Sequence, residues 1–522
     1  MKRCFIAGTI IVVALLFAGC NGSDTDETLS INDLIEGIEP GEGIEPGGVG
    51  KLGRLTDLGD LMEPQGDHWY YTRAVALNDG GVVIGHSNAG WPVYGAFRWV
   101  PPAGPMTFLG IHRPPYVRQP GTYDDYFDIV YGRAKPRKYF IYSKAVDLNN
   151  AGVIIGNSCT GPGWPDCEEQ RAFIWRDGSF VDLAPPTFDV DECTEVNKRG
   201  RHVIGSYSEA VDINNKGEVV LTVEDRPGEK HAYYWDGLTF TTEVLDKKPD
   251  PPADQCKFVP VTVQVPSYIP IGRILGEDSF AVAINENGHA VINSGDTALF
   301  FDIGLGKLEV INFLPGATRT RAVGINDSKH LNADGIPDPH IIGNSGTGSL
   351  EIEDDKSVQG FFWDGGAMYL VDHLGGGTSQ VTDINDSDQV VGASTLPDGS
   401  FHAILWTLGA DKKGHILDLG TLGGRNSFAT AINEAGQIAG WAETGAYYQE
   451  KDVQPVPIRH AFLWDKGVMY DLGVHNDFYD YSFMDPYPFS EAVDINAGGR
   501  VTGNSISINA HSRGFFLSPV FP

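Results

Sequence analysis

The chain has 522 residues, of which 41% are apolar and 65 are glycine, and its formal net charge at pH 7 is −31. This acidity argues against nucleic-acid binding, which calls for clustered lysine and arginine. A large net charge indicates a soluble protein more directly than it indicates a particular binding partner. The glycine content suits a globular domain with many tight turns.

The N-terminus has the pattern of an export signal. Lys2 and Arg3 precede an apolar run over 6–17, and two small residues then lead to Cys20. This pattern predicts a signal peptide over residues 1–19, too short to persist as a transmembrane helix. Its ending resembles the lipobox of bacterial lipoproteins, which implies that Cys20 is lipidated and anchors the protein to a membrane. The alternative is ordinary secretion with Cys20 as an unmodified thiol.

Residues 20–50 form the next segment. They are rich in acidic residues, glycine and proline, and they contain a tandem Gly-Ile-Glu-Pro-Gly. Such a composition cannot bury a core, so we expect a flexible acidic tether. Asn21 stands where an aspartate would retain a lipoprotein at the inner membrane. The resemblance therefore implies the outer membrane or the cell surface.

One phrase then returns eight times along the domain over 51–522. It begins at residues 74, 145, 210, 281, 322, 381, 429 and 492. Most copies place two short apolar runs around Asn-x-x-Gly, as at Asn149 to Gly152. Asparagine can bond its own backbone two residues on, and glycine accepts positive φ freely. Each phrase therefore predicts a β-hairpin in which the asparagine makes the turn.

A second module follows each hairpin. A third apolar run, such as 172–175 or 403–406, precedes a glycine-bearing turn and a fourth run such as 416–420. Four short strands per repeat of about 60 residues are typical of a propeller blade. The sequence thus predicts an all-β fold, a β-propeller of four-stranded antiparallel blades.

The two ends of the domain predict how the ring closes. The last repeat stops after its third strand (514–517), and a segment with the character of a fourth strand lies at 54–60. Pairing of this N-terminal strand into the last blade would remove the exposed edges. We expect eight blades, or seven if the weak repeat around 298–314 forms none.

The later repeats carry a family resemblance. The segments 460–473 and 402–440, each opening on His-Ala, look like the repeat of the bacterial extracellular HAF-repeat family. The resemblance extends over roughly residues 52–517. It implies a secreted or surface protein and no assigned activity.

Four cysteines lie in the propeller domain: Cys159, Cys167, Cys193 and Cys256. An even number in an exported chain predicts disulfides, for which three connectivities are open. Cys159 with Cys167 would staple the short loop between them, which would leave Cys193 with Cys256. Zinc is disfavoured because no CxxC pair or histidine cluster lies beside them.

Strand direction predicts two unlike faces. The turns between first and second strands and between third and fourth strands share what we call the tight-turn face. The other connections share the loop-rich face and include the long insertions 111–144, 159–170, 246–280, 346–359, 443–459 and 474–490. Long loops on one face of a rigid scaffold commonly carry binding sites.

Two of these insertions are rich in aromatic residues. The candidate ligand-binding residues are Tyr123, Tyr126, Phe127, Tyr131, Tyr479, Tyr481 and Phe483. Tyrosine combines apolar area with a polar tip, which suits sugar stacking or a protein partner. The alternative is that these side chains fold onto the ring as small satellite cores.

One segment is a candidate calcium site. Asn332, Asp334 and Asp338 surround Gly335, and oxygen ligands around a glycine turn resemble calcium-binding loops. His330 stands where a first acidic ligand would be expected. A plain Asp-Gly turn explains the segment equally well. The sequence indicates no other cofactor.

No catalytic motif is found in a suitable context. We therefore expect a non-catalytic scaffold at the cell envelope that binds a glycan or a surface protein. The alternative is a carbohydrate-active propeller hydrolase or lyase, which would need converging carboxylates with perturbed pKa values in the central channel. A purely structural envelope component is a third hypothesis.

Overall fold

The computed structural model describes residues 52–521 apart from 53–54, 62–70, 89–92, 103, 111–140, 160–169, 184–206, 227, 248–257, 273–276, 328–337, 450–453, 475–488 and 507–511. All regular structure in the described part is β-strand. No helix long and apolar enough to span a membrane occurs there.

The described strands form eight blades of four antiparallel strands, and a short parallel pairing joins the first two blades into one eight-stranded sheet. Blade 1 consists of β2 (Thr72–Leu77), β3 (Val83–Asn88), β4 (Val93–Trp99) and β5 (Thr107–Gly110), and blade 2 of β6 (Ile141–Leu148), β7 (Ile154–Cys159), β8 (Gln170–Arg176) and β9 (Ser179–Asp182). Blade 3 consists of β10 (Ser208–Ile213), β11 (Val219–Arg226), β12 (Glu229–Lys247) and β13 (Phe258–Pro270). Blade 4 consists of β14 (Ser279–Ile284), β15 (His289–Ser294), β16 (Thr297–Asp302) and β17 (Lys307–Ile311).

Blades 5 to 8 follow the same order. Blade 5 consists of β18 (Arg319–Ile325), β19 (Ile341–Gly346), β20 (Gln359–Trp363) and β21 (Met368–Leu370), and blade 6 of β22 (Ser379–Ile384), β23 (Val390–Thr395), β24 (Phe401–Leu408) and β25 (Gly414–Asp418). Blade 7 consists of β26 (Ser427–Ile432), β27 (Ile438–Tyr448), β28 (Val456–Asp465) and β29 (Val468–Gly473). Blade 8 consists of β30 (Phe489–Ile495), β31 (Val501–Ile506) and β32 (Ser512–Leu517) and is completed by β1 (Thr56–Asp57). The weak repeat therefore does form a blade, and the ring has eight.

The N-terminal strand closes the ring as predicted. β1 pairs antiparallel with β32, with Asp57 opposite Phe515. Blade 7 has the same register, because Asp471 of its fourth strand lies opposite Phe462 of its third strand. Arg513 also contacts Asp57 at 3.7 Å and Asp60 at 2.7 Å. The first segment of the domain thus replaces the missing fourth strand of the last repeat.

A continuous ring of hydrogen bonds joins the eight hairpin turns. The turn asparagine of each blade donates from Nδ2 to the backbone carbonyl of the corresponding asparagine in the next blade, at 2.9–3.2 Å. The members in order are Asn78, Asn149, Asn214, Asn285, Asn326, Asn385, Asn433 and Asn496, which donates back to Asn78. These asparagines make the predicted turns too, since Asn149 Oδ1 accepts the Val153 N–H at 3.0 Å. We call them the asparagine ring.

The glycine in the second strand of most repeats has a steric cause. A Cβ atom built on Gly440 would overlap the backbone carbonyl of Phe428 in the neighbouring first strand. The equivalent glycines Gly85, Gly156, Gly343, Gly392 and Gly503 meet the same obstacle. Close approach of the two backbones is what requires glycine there.

Hydrophobic cores fill the wedges between neighbouring blades. One combines Ile155 and Ile174 of blade 2 with Val219 and Leu221 of blade 3. The wedge between blades 7 and 8 also takes in Leu52 and Leu55 from the N-terminal segment. Burial of apolar surface therefore couples each blade to its neighbours rather than stabilising it alone.

Two predicted insertions differ from expectation. The segment 246–280 was expected on the loop-rich face, but β12 and β13 pair from Trp235–Tyr268 out to Lys247–Phe258. This connection between third and fourth strands extends from the tight-turn face, so that expectation is wrong for most of the segment. The insertion 443–459 is largely regular, because β27 and β28 pair out to Tyr448 and Val456.

Candidate functional site: the channel wall and its loop-rich mouth

The first strand of each blade packs beside the first strands of both neighbouring blades and so forms the inner wall of the ring. A β-bulge interrupts all eight first strands at the same place, as between Ala145 and Asp147. Residues at and after the bulge, such as Val146 and Asp147, are half-buried although they lie on the innermost strand. They line a central channel.

Four blades place an aspartate just after this bulge: Asp147, Asp212, Asp383 and Asp494. Asp383 Oδ1 accepts the Ile384 N–H at 2.8 Å, and Oδ2 accepts the Ile432 N–H of the next blade at 2.9 Å. The other three aspartates make the same two bonds. A bulge leaves backbone N–H groups without ladder partners. These carboxylates satisfy them and tie one blade to the next.

Asp147, Asp383 and Asp494 have raised pKa values. Burial raises the pKa of Asp383 to about 7, and burial also raises the pKa of Asp494. The pKa of Asp147 is raised by burial and then by the neighbouring Asp212 carboxyl. Perturbed carboxylates were the expected sign of an enzyme. Here every carboxylate oxygen already accepts a backbone hydrogen bond, which accounts for the aspartates structurally.

The loop-rich end of the channel is chemically varied. One residue of each first strand, directly before the repeat position Ala74 or its equivalent, stands at this end. In blade order the eight are Arg73, Lys144, Glu209, Phe280, Arg321, Gln380, Phe428 and Glu491. We call these residues and the side chains that contact them the mouth. Because the repeat does not fix the residue type at this position, the position can hold side chains that bind a ligand.

An aromatic and cationic group lies at the mouth of blades 6 and 7. The rings of Phe428 and Trp441 stack with centroids 6.2 Å apart and an interplanar angle of 10°. Phe401 meets Trp441 edge-on at 5.9 Å. The Arg459 guanidinium lies 4.8 Å from the centroid of the Trp441 ring. Side chains of these types predominate in binding hot spots.

Ion pairs continue the mouth across the closure of the ring. Glu491 of blade 8 contacts Arg459 of blade 7 at 3.5 Å and Arg73 of blade 1 at 3.0 Å. In blade 3, the Tyr207 hydroxyl donates to Glu209 at 2.6 Å, and Lys230 lies 3.6 Å from the Tyr207 ring centroid. The polar and aromatic rim therefore spans several consecutive blades.

The residue that follows the second-strand glycine, or its equivalent in blades that lack the glycine, differs from blade to blade. In blades 2, 4, 5 and 8 it is an asparagine that clamps the next blade; Asn157 Oδ1, for example, accepts the Ala210 N–H at 2.8 Å. Thr222 replaces it in blade 3 and accepts the Ala281 N–H. Blades 1 and 7 instead carry His86 and Trp441, and both belong to the mouth. His86 and Trp441 are visible in the sequence as positions at which the repeats differ. The predictions above rest on the residues that the repeats share, and so they do not include these two.

The residues predicted as a ligand site and as the lipid anchor cannot be placed. Tyr123, Tyr126, Phe127, Tyr131, Tyr479, Tyr481, Phe483 and Cys20 all lie outside the described residues. Cys159, at the end of β7, is disulfide-bonded. Cys167, Cys193 and Cys256 also lie outside the described residues, so the pairing stays a prediction.

Of the three candidate calcium ligands, one lies among the described residues. Asp338 precedes β19 and is half-buried, and burial raises the pKa of its carboxyl group. Asn332 and Asp334 fall in the undescribed segment 328–337. In the described ranges, no three His, Cys, Asp or Glu side chains are grouped to hold a metal ion. Calcium at this segment stays a prediction.

Comparisons with known proteins find only weak structural similarity. No family model and no curated protein sequence matches the chain. Similar solved structures include a mitotic checkpoint complex (10% identity, 88% of this chain, 92% of that chain, TM-score 0.34) and TolB from Acinetobacter baumannii (10%, 68%, 64%, 0.28). Another is the extracellular domain of a one-component system from B. thetaiotaomicron (9%, 72%, 38%, 0.33). The assignment of a propeller rests on the pairing of the described strands.

Proposed function

We propose that this protein is a cell-envelope lipoprotein of the HAF-repeat type that binds a glycan or surface protein through its loop-rich face, without catalysis. The observation that carries the proposal is the mouth, where a strict repeat gives way to aromatic and charged side chains that are mostly half-buried. A rigid ring bearing one variable face suits binding rather than any single chemistry.

The cluster of Trp441, Phe428 and Arg459 supports this proposal most directly. A guanidinium and aromatic rings at the rim of a channel provide apolar area and hydrogen-bond donors in one place. Such a surface suits a sugar ring or a protein side chain. The anchor rests on Cys20 and would hold this face at the cell envelope.

A binding experiment with matched variants tests the role of the face. The full chain is applied to glycan and surface-protein arrays beside Trp441→Ala and Arg459→Ala. The control is Lys412→Ala, because Lys412 lies 5.5 Å from the Tyr369 ring on the opposite, tight-turn face. We expect retention to fall at least tenfold for the mouth variants and to be unchanged for the control. Equal retention by all variants would contradict the proposal.

The channel aspartates favour a second candidate, a carbohydrate-active enzyme. Asp383 combines a pKa of about 7 with a position on the channel wall. A general acid with such a pKa is well suited to neutral pH. Release of new reducing ends from a polysaccharide, abolished by Asp383→Asn, would establish this candidate. We expect no such release, because both oxygens of Asp383 are engaged by backbone N–H groups.

A further inference from the structure

His86 is a side chain that the fold leaves unexplained. It occupies the position where Asn157 and Asn504 clamp the next blade. Its Nδ1 atom is buried and has no hydrogen-bond partner among the described residues. A buried polar atom without a partner destabilises a fold, because it gives up its hydrogen bonds to water and gains none in return. An asparagine would remove this penalty, so the histidine points to a partner that binds from outside.

Three neighbouring tyrosines lie at the mouth of blades 1 and 2, and one of them contacts this histidine. The Tyr71 ring lies 5.7 Å from His86 and meets Tyr94 edge-on at 5.4 Å. A short parallel pairing between β4 and β6 sets Tyr94 beside Tyr142 of the next blade. All three are half-buried. They present apolar ring surface together with hydroxyl groups.

Positive charge is concentrated at the same place. Lys144 is exposed, its Nζ lies 5.0 Å from the Tyr142 ring centroid, and it forms no ion pair with any described carboxylate. The side chain of Arg73 is 41% exposed and pairs with Glu491. Burial, then Lys144 and Arg73, lower the pKa of His86 to about 3, so the imidazole is neutral. Glu491 pairs with Arg73 and Glu209 lies near Tyr142, so Lys144 is the cation of this group that has no described ion pair.

We infer that the mouth between blades 1 and 2 is a subsite for a uronate unit of an acidic glycan, with the sugar ring on the tyrosines and the carboxylate on Lys144 and His86. The inference rests on the proposed binding function and specifies its ligand. A pyranose carries its carboxylate rigidly beside an apolar ring face, so one unit meets rings and cation together. Aspartate and glutamate side chains offer no such face.

Binding of defined oligosaccharides to the full chain tests the inference. The probes are an oligogalacturonate and the neutral galactose oligosaccharide of the same length, compared by calorimetry. We expect the acidic probe to bind at least tenfold more tightly, and Lys144→Gln to remove that preference. Lys412→Gln on the tight-turn face is the matched control and should leave both affinities unchanged.

His86→Asn separates binding from folding. It restores the asparagine found in four other blades, so the variant should fold with unchanged or higher stability yet lose at least fivefold in uronate affinity. Equal binding of the two probes would overturn the inference, as would an unchanged affinity in Lys144→Gln. Tighter binding of poly-glutamate than of oligogalacturonate would instead assign an acidic peptide.

The outcome is distinguishable from failure of the broader proposal. If no uronate binds, but array ligands are retained and then lost in Trp441→Ala, the loop-rich face binds something else and only this inference fails. If neither uronates nor array ligands are retained, both fail.

Discussion

Removal of one side chain from the asparagine ring should destabilise the whole propeller. Asn385 is only 3% exposed. Its Oδ1 accepts the N–H groups of Ser387 and Gln389 at 3.1 and 3.0 Å. Its Nδ2 donates to the Asn433 carbonyl at 3.0 Å and to Gln389 Oε1 at 2.7 Å. Asn385→Ala removes all four bonds.

The expected loss follows from these contacts. A typical intramolecular hydrogen bond contributes about 1 kcal/mol net, and a buried group left unpaired costs about 1–3 kcal/mol. The substitution leaves the Ser387 and Gln389 N–H groups without their described acceptor. It also removes one of two donors to the Asn433 carbonyl, which still accepts the Gly436 N–H. We therefore expect Asn385→Ala to lower the free energy of unfolding by about 3–4 kcal/mol, measured by urea denaturation with tryptophan fluorescence.

Two comparisons make this test decisive. Ser387→Ala alters the same turn, but the described contacts include no hydrogen bond from the Ser387 side chain, so it should cost less than about 0.5 kcal/mol. Asn496→Ala breaks the bond across the closure, where Nδ2 donates to Asn78 at 2.9 Å. It should cost as much as Asn385→Ala. A loss no larger than that of Ser387→Ala, or a much smaller loss at Asn496, would refute the closed ring of bonds.

Three further predictions concern the channel wall, the packing within a blade and the proposed lipid anchor. Because the folded pKa of Asp383 is raised to about 7, the folded state keeps a proton that the unfolded chain releases, so stability should fall as pH rises from about 4 to about 7. The full shift corresponds to about 4 kcal/mol, which we reduce to about 2 because the side chain is part-exposed in the channel. Between pH 4 and pH 8, the free energy of unfolding should therefore fall by about 2 kcal/mol more in the wild type than in Asp383→Asn, measured by denaturation at the two pH values. Gly440→Ala should cost several kcal/mol by the overlap with the Phe428 carbonyl. Gly366→Ala should be nearly neutral in the same denaturation assay, because a Cβ there meets only Asp364 Oδ1 at 3.9 Å and the backbone has no positive φ. Cys20→Ala should move the protein from the membrane fraction to the soluble fraction on cell fractionation, and an unchanged distribution would contradict lipidation.

The fold could be predicted because its signals are local and repeated. Asn149 and Gly152 specify a turn from their own backbone preferences, and eight such turns specify the blades. The closure could be predicted because β1 supplies the fourth strand that the last repeat lacks. The Nδ2 bonds of the asparagine ring could not, because they depend on the position of a neighbouring blade rather than on the turn itself.

The candidate site was harder to predict for a related reason. A search for repetition selects residues with structural roles, such as Asp383 and Gly440, and passes over positions that vary. Arg73 and Lys144 vary from blade to blade, and only the ring brings them together. His86 and Trp441 are visible in the sequence only as exceptions to a clamp whose purpose the structure reveals.

Closure by the N-terminal strand is the claim on which the ring and its mouth depend. Leu52, Leu55 and Leu58 of this segment are 2%, 9% and 3% exposed. Burial of such a side chain contributes about 1.5–3 kcal/mol, so the segment should contribute about 5 kcal/mol or more. The direct measurement compares urea unfolding of chains beginning at residue 51 and at residue 62. We predict that the first keeps full stability and the second loses at least about 5 kcal/mol; equal stability would contradict the closed propeller.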